Sequence, residues 1–392
     1  MKKTLLAAAL MAGYAGAASA QNSVTLYGVV DVGFAYQNSA GGFAVDGTKG
    51  ETSSSKNQFG LASGTQSGSR WGLKGVEDLG DGLSANFVYE SGVDVTDGSG
   101  NNGFTRQSTL GLVSKSWGAI DLGRKFAPST TQLSGIDPFA TGFGIASMTT
   151  VIGVNNLRLS NMATYTTPNI SGFTASVGYS FNTGLSGSSY NTVPGTIVPA
   201  AATSSTFGQA NKSRAVSLGL RYANGPALLA ATFDNIQANS QSTARYTNPG
   251  AYKAWVLGGT YNFNVVKIHA AVSMAYDGLL NSTNTVRSVA TGGDTNSGSA
   301  LQFIPGARTT SWMVGLTAPV GTGSAFLSVQ QRIAGGSLDS LNTSNEFGAQ
   351  IGYTYPFSKR TNLYAAYGYL NNAALVSGAH TSQLFLGMRH LF

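Results

Sequence analysis

The sequence predicts an all-β fold, a 16-stranded antiparallel transmembrane β-barrel. Three observations predict it: side chains alternate with period two, charged residues are scarce, and short turns alternate with long polar connectors. Of 392 residues only 10% are charged, where about 25% is usual, while Gly supplies 52 and aromatics a tenth. A sheet with one face in lipid and the other in water has no ordinary charged exterior, and this composition suits it. The chain contains no Cys, so neither disulfides nor thiolate metal sites hold it together. Backbone pairing must do so, and in hydrocarbon that pairing has to be complete, which leaves closed barrels as the only non-helical way across.

Residues 1–20 read as an export signal peptide: a basic start at Lys2 and Lys3, an apolar run from Leu5 to Ala18, and Ala18-Ser19-Ala20 as a small-residue cleavage site. The mature chain is then expected to begin at Gln21, with residues 21–392 forming one barrel domain. Removing the leader takes away two lysines and no acid, so the formal charge of +7 shrinks to a modest basic excess. Beyond it, no stretch approaches the ~20 apolar residues of a spanning helix.

The period-two segments fix which side chains share a face. Phe173, Ala175, Val177, Tyr179 and Phe181 oppose Thr174, Ser176, Gly178 and Ser180. Val216, Leu218, Leu220 and Tyr222 oppose Ser217, Gly219 and Arg221. Val266, Ile268, Ala270, Val272 and Met274 oppose Lys267, His269, Ala271 and Ser273. A soluble β-sandwich also alternates, but it explains neither the export signal nor the charge depletion. Short connectors rich in Gly, Pro and Asn fall at Asp78–Gly82, Ser116–Gly118, Pro168–Gly172, Asn224–Pro226, near Asn264, at Pro319–Gly323 and at Phe357–Arg360. Seven such turns join fourteen strands, and a first strand near Val24–Tyr36 and a last near Ser382–Phe392 complete an even number, as bacterial barrels require. Sixteen strands leave an aqueous lumen. Tyr222, Tyr261, Phe263, Tyr276, Trp312, Tyr353, Tyr355, Phe357 and Tyr364 lie near strand ends, where interfacial girdles place aromatics.

The terminal strand from Leu384 to Phe392 puts Leu384, Leu386, Met388, His390 and Phe392 on one face and ends on an aromatic; it resembles the assembly signal of outer-membrane barrels. Four further segments, Val24–Asp31, Ser69–Gly75, Glu77–Leu83 and Asp121–Arg124, resemble the Gram-negative general porins, particularly their β-proteobacterial branch. The likeness runs from Ser23 to Phe392. It implies an outer-membrane homotrimer in lipid and lipopolysaccharide, delivered by the barrel-assembly machinery, and a channel for passive diffusion of ions and small hydrophilic solutes. It also implies an inward-folded third loop, here the connector over residues 126–157, long where a hairpin needs two to five residues. Gly135–Gly142 resembles the family's constriction motif, although it lacks the commoner glycine pair after Phe and its acid precedes the Pro.

A pore sorts solutes by width and by fixed charge at its narrowest point. Arg70 and Lys74 share a strand face opposite Trp71 and Leu73, and Arg158 shares one with Ser160, Met162 and Thr164 opposite Leu159 and Tyr165, so parity sends all three inward. The resemblance adds Arg106 and Arg124 to this basic wall, although Arg106 shares parity with Leu110 and Arg124 with Leu122. Asp137 is the expected acidic partner on the loop, and Glu90 another acid facing inward. The basic excess implies a mild preference for anions, a sign that loop charges can reverse.

An enzyme is the rival from another class. A barrel hydrolase needs a nucleophile and a positioned base, but the only histidines are His269, alone in the lumen, His380 beside the last loop and His390 on the lipid face. No catalytic set, metal site or cofactor motif emerges. An adhesive barrel and a sugar-specific channel are further rivals. Nucleic-acid binding is disfavoured because the cations are scattered.

Overall fold

The structure, a computed structural model, describes residues 23–40, 56–100, 103–152, 157–184, 187–190, 197–199, 213–237, 251–281, 300–340 and 343–392; the export signal expected over residues 1–20 lies outside them. Sixteen barrel strands follow in chain order. β1 is Ser23–Ala40, β2 runs in two pieces (Lys56–Ser63 and Arg70–Gly80), β3 is Leu83–Gly92 and β4 is Gln107–Ser114. β5 is Gly118–Phe126, β6 Arg158–Thr166, β7 Phe173–Ser180 and β8 Arg214–Asn224. β9 is Ala227–Gln237, β10 Ala251–Asn262, β11 Lys267–Asn281 and β12 Ala300–Val320. β13 is Gly323–Gly336, β14 Glu346–Pro356, β15 Thr361–Asn371 and β16 His380–Leu391. Each pairs antiparallel with its sequence neighbours, and β16 returns to β1 from Val29↔Leu391 to Ala40↔His380, so the sheet closes. Closure leaves no unpaired strand edge in lipid, where water cannot satisfy it.

The seven short turns stand where the sequence marks them. Asp81, Ser171 and Asn264 adopt left-handed backbone in three of them, with φ of 50°, 52° and 72°, which short polar side chains tolerate best. At the seam, the amide of Gly28 donates to the Phe392 carbonyl (3.1 Å) and the Phe392 amide donates back (3.2 Å). A β-carbon on Gly28 would strike the Phe392 ring, so this glycine makes room for the aromatic.

Alternation holds along most strands. Leu218, Leu220, Ile268, Val272 and Met274 are exposed outward, while Ser217, His269, Ala271 and Ser273 are buried on the lumen side. The structure corrects it at three places. Asn161 takes a left-handed conformation (φ 46°), and the β5–β6 register shifts between Gly123 and Lys125; this bulge places Leu159 in the interior with Met162 instead of in lipid. Parity counted across it therefore gives no valid reason for an inward Arg158. Tyr364 is not a girdle residue: it lies on the inner face of β15 and donates to Asp31 Oδ1 (2.7 Å). Finally, β2 is interrupted by residues 64–69, which turn inward. Asp31, fully buried, supports this excursion by accepting from the Ser67 amide (2.7 Å) while its carbonyl accepts from the Gly64 amide (2.8 Å) and Ser69 Oγ (2.9 Å).

Candidate functional site

The third long connector is closed at its base by the Ala127 amide donating to the Leu157 carbonyl (2.8 Å). Pro128–Gln132 forms a short helix, α1, with proline at its start where its missing N–H is harmless. The Ser129 amide donates to Ser217 Oγ of β8 (3.1 Å), and Gln132 bonds Ser176 of β7. Farther along, the Ile136 carbonyl lies 2.8 Å from His269 Nδ1 of β11, and Ser311 Oγ of β12 donates to the Val151 carbonyl (2.7 Å). Gln330 of β13 donates to the Ile145 and Ser147 carbonyls, and the Ile145 amide donates to Gln383 Oε1 of β16 (3.0 Å). These strand partners all lie on the buried side of the alternation, so residues 127–152 rest inside the barrel against β7–β16. The turn at Phe139 and Phe143 packs with Phe326, Tyr364 and Phe385, and the Phe143 amide donates to the Thr65 carbonyl of the β2 excursion (2.6 Å). Loop and excursion thus hold one another.

Five cations gather on β2, β5 and β6 and the connector before β4. Glu90, on the inner face of β3, is the anion that Arg106 and Arg70 share. Its Oε1 accepts from Arg106 Nε (2.8 Å), its Oε2 from Tyr27 OH (3.0 Å), and Arg70 Nε stands 3.5 Å from Oε2. Arg70 also donates to the Gly68 carbonyl (2.8 Å), so the β2 excursion aims it. Lys74 Nζ lies 5.4 Å from the centre of the Tyr27 ring. Arg124 donates to the Thr105 carbonyl (2.5 Å) and Ser160 Oγ (2.8 Å), and the Arg158 guanidinium stacks 3.7 Å over Phe126. Arg158 feels the charges of Arg106, Glu90, Arg124 and Arg70, which places it in the same cluster. The site therefore carries five cations, two of them paired with the carboxylate of Glu90.

The Gram-negative porin model matches residues 6–375. The chain belongs to that family. It is 39% identical to an outer membrane porin of Bordetella pertussis, with all of both chains covered. With outer membrane porin protein 32 of Delftia acidovorans it shares 32% identity over 95% of this chain and 90% of the relative. Among solved structures it is similar to the anion-selective porin from Comamonas acidovorans, with a TM-score of 0.67 and 25% identity, covering 95% of this chain and 100% of that one. The protein is thus a multi-pass β-barrel channel of the bacterial outer membrane.

In this porin Asp137 does not face the arginines. It is 3% exposed and folded into its own loop, accepting from the amides of Phe139 (2.9 Å), Thr141 (3.0 Å) and Met148 (3.0 Å) and from Ser147 Oγ (2.9 Å). Burial pushes its carboxyl above the ordinary carboxylate range, against the pull of those four donors. Because Asp137 is the only charged residue between 127 and 157, the loop edge at Thr131, Ser134 and Ala140 is neutral.

Arg106 and Arg124 reach the cluster despite their parity. Arg106 precedes β4 and is free of its alternation, and Arg124 sits at the β5 bulge. One inward cation went unnoticed in the sequence, Arg389, which donates to Asn362 Oδ1 (3.2 Å), while Arg221, which donates to the Ser134 carbonyl (3.0 Å), and Lys267 near it stand on the polar face that alternation gives them. Parity already held the signal, since Arg389 alternates with the outward Met388 and His390. The buried Arg332–Glu346 pair of β13 and β14 was missed as well. Among the described residues no His, Asp and Glu cluster suits a metal ion.

Proposed function

We propose that this porin passes small hydrophilic solutes by passive diffusion and favours anions, its constriction lying between the basic wall of Arg70, Lys74, Arg106, Arg124 and Arg158 and the neutral edge of residues 127–152. One observation carries the reading: this wall sets five cations beside Glu90, which is ion-paired with only Arg70 and Arg106, while the facing loop presents no exposed charge. The other lumen-side acids do not offset this. Asp31, Asp234 and Glu346 are buried, and Asp121 is paired with Lys125 (2.5 Å). Fixed positive charge in a narrow aqueous passage concentrates anions and excludes cations. The similar Comamonas acidovorans porin is titled anion-selective, which supports the same sign.

No catalysis enters this reading. His269 is held between the Ile136 carbonyl and Thr317 Oγ1 (3.0 Å), and exposed His390 lies 2.8 Å from Thr361 Oγ1; neither has a nucleophile and acid arranged about it. By family resemblance the reading includes a homotrimer, removal of residues 1–20 on export, and use of the Phe392-ending strand by the barrel-assembly machinery.

Planar-bilayer recording tests it. In a salt gradient the reversal potential should take the anion-selective sign, and conductance should rise in triplet steps. Arg70→Gln with Lys74→Gln should move the potential toward cations, because these are the less buried members of the wall. A cation-selective wild type, or a potential that the double variant leaves unmoved, refutes the assignment.

A further inference from the structure

The outward face carries charge in one unexpected place. Arg214, Lys253 and Arg308 share outward parity with Leu218, Trp255 and Val314, all exposed to lipid. Arg214 and Lys253 stand at the extracellular ends of β8 and β10, the side of the long connectors, and Arg308 lies level with Lys253, eight residues into β12. Lys253 and Arg308 flank Tyr276 of β11 in one row of the sheet, Lys253↔Tyr276↔Arg308. The Arg308 guanidinium lies 5.9 Å from the centre of the Tyr276 ring. Below that row come Trp255 and Met274, half exposed and apolar, so the cations sit at the upper border of the hydrocarbon band.

Acids are few on the strands that carry them. Of the two acids on these five strands, Asp234 is buried on the lumen side, and Asp277 accepts the Gly306 amide (3.0 Å) at the β11 bulge. Neither Lys253, Arg308 nor Arg214 forms an ion pair among the described residues. The sequence between 238 and 250 adds only Arg245, that between 185 and 212 only Lys212, and that between 282 and 299 one charge of each sign, Arg287 and Asp294. Two flexible cations whose strands are separated by one intervening strand, about 10 Å at ordinary strand spacing, can converge on a single anion above the ring between them.

We propose that this arc binds the phosphate of an outer-leaflet lipid headgroup, with Lys253 and Arg308 gripping it across Tyr276 and Arg214 extending the contact. Acyl chains then lie along Trp255, Leu257, Val272 and Val314. The inference rests on the outer-membrane location, deepens the lipid partnership, and is independent of the anion preference of the pore. A second copy of the chain is a poor occupant, because the arc would meet it with unpaired positive charge.

Native mass spectrometry of the refolded trimer, titrated with diphosphorylated lipid A and with its phosphate-free form, provides the test. The diphosphorylated lipid should bind more tightly, Lys253→Gln should weaken it about fivefold, and Lys253→Gln with Arg308→Gln about thirtyfold. Lys359→Gln with Arg360→Gln, at the opposite rim, should leave binding unchanged. Equal affinity for the phosphate-free form, an equal loss in that control, or displacement of the lipid by inorganic phosphate overturns the proposal. So does loss of trimers in place of loss of lipid. Single-channel conductance of the Lys253/Arg308 variant should match wild type, which separates failure here from failure of the channel reading.

Discussion

Glu90 shows how one side chain can organise a pore wall. Its two oxygens hold Arg106 and Tyr27 and face Arg70, while Arg106 is 5% exposed. Taking one partner from a buried ion pair leaves a charge without solvation, at a cost of about 3–5 kcal/mol. Glu90→Gln should therefore lower the thermal unfolding midpoint, and Glu90→Gln with Arg106→Met should recover part of the loss, as circular dichroism melting can measure. If the double variant is no more stable than the single, the pairing is not what Glu90 provides. Arg70 and Lys74 were legible in the sequence because β2 alternates regularly across them. Counting parity could not place Arg106, Arg124 or Arg158, which rested on the family resemblance, since one precedes its strand and the others flank the β5–β6 bulge, where a single extra residue inverts the count.

Loop three is an element whose length could be read but whose fastening could not. The sequence showed a connector too long for a hairpin, yet its anchors are side chains far away in the chain, such as Gln330, Gln383 and His269. Local patterning carries no trace of such partners. The split of β2 was hidden for the same reason, although Gly64 and Gly68 hinted at a break. Asp137 was read as a pore charge because acid type and position say nothing about which way a carboxylate turns. Asp137→Ala would leave three amides and a hydroxyl without their acceptor, each such loss costing about 1–3 kcal/mol when buried. Bilayer recordings of that variant should show larger open-channel current noise, with the barrel still folded. Noise at the wild-type level means that the aromatic packing around Phe139 and Phe143 holds the loop unaided.

For the whole molecule, strand number and turn positions were countable because lipid enforces strict alternation and short turns have their own chemistry. Closure also follows from the chain, since an open sheet cannot persist in hydrocarbon. The seam joins the most distant parts of the sequence, and contacts of high sequence separation form slowly. Gly28→Ala should crowd Phe392 at this joint, where overpacking costs about 1–3 kcal/mol. Its refolding yield, read as the heat-modifiable band on a gel, should fall, and Phe392→Leu should restore part of it in the Gly28→Ala background. A Gly28→Ala protein that refolds like wild type removes the seam from the slow step. The neutral loop edge has a last consequence, for solutes that carry no net charge. Opposed rows of acids and bases form a dipole that turns a polar molecule as it enters, whereas a wall of one sign facing hydroxyls acts as a monopole. Such a passage draws in anions without aligning neutral molecules, so sugars and zwitterions of equal size should pass it at similar rates.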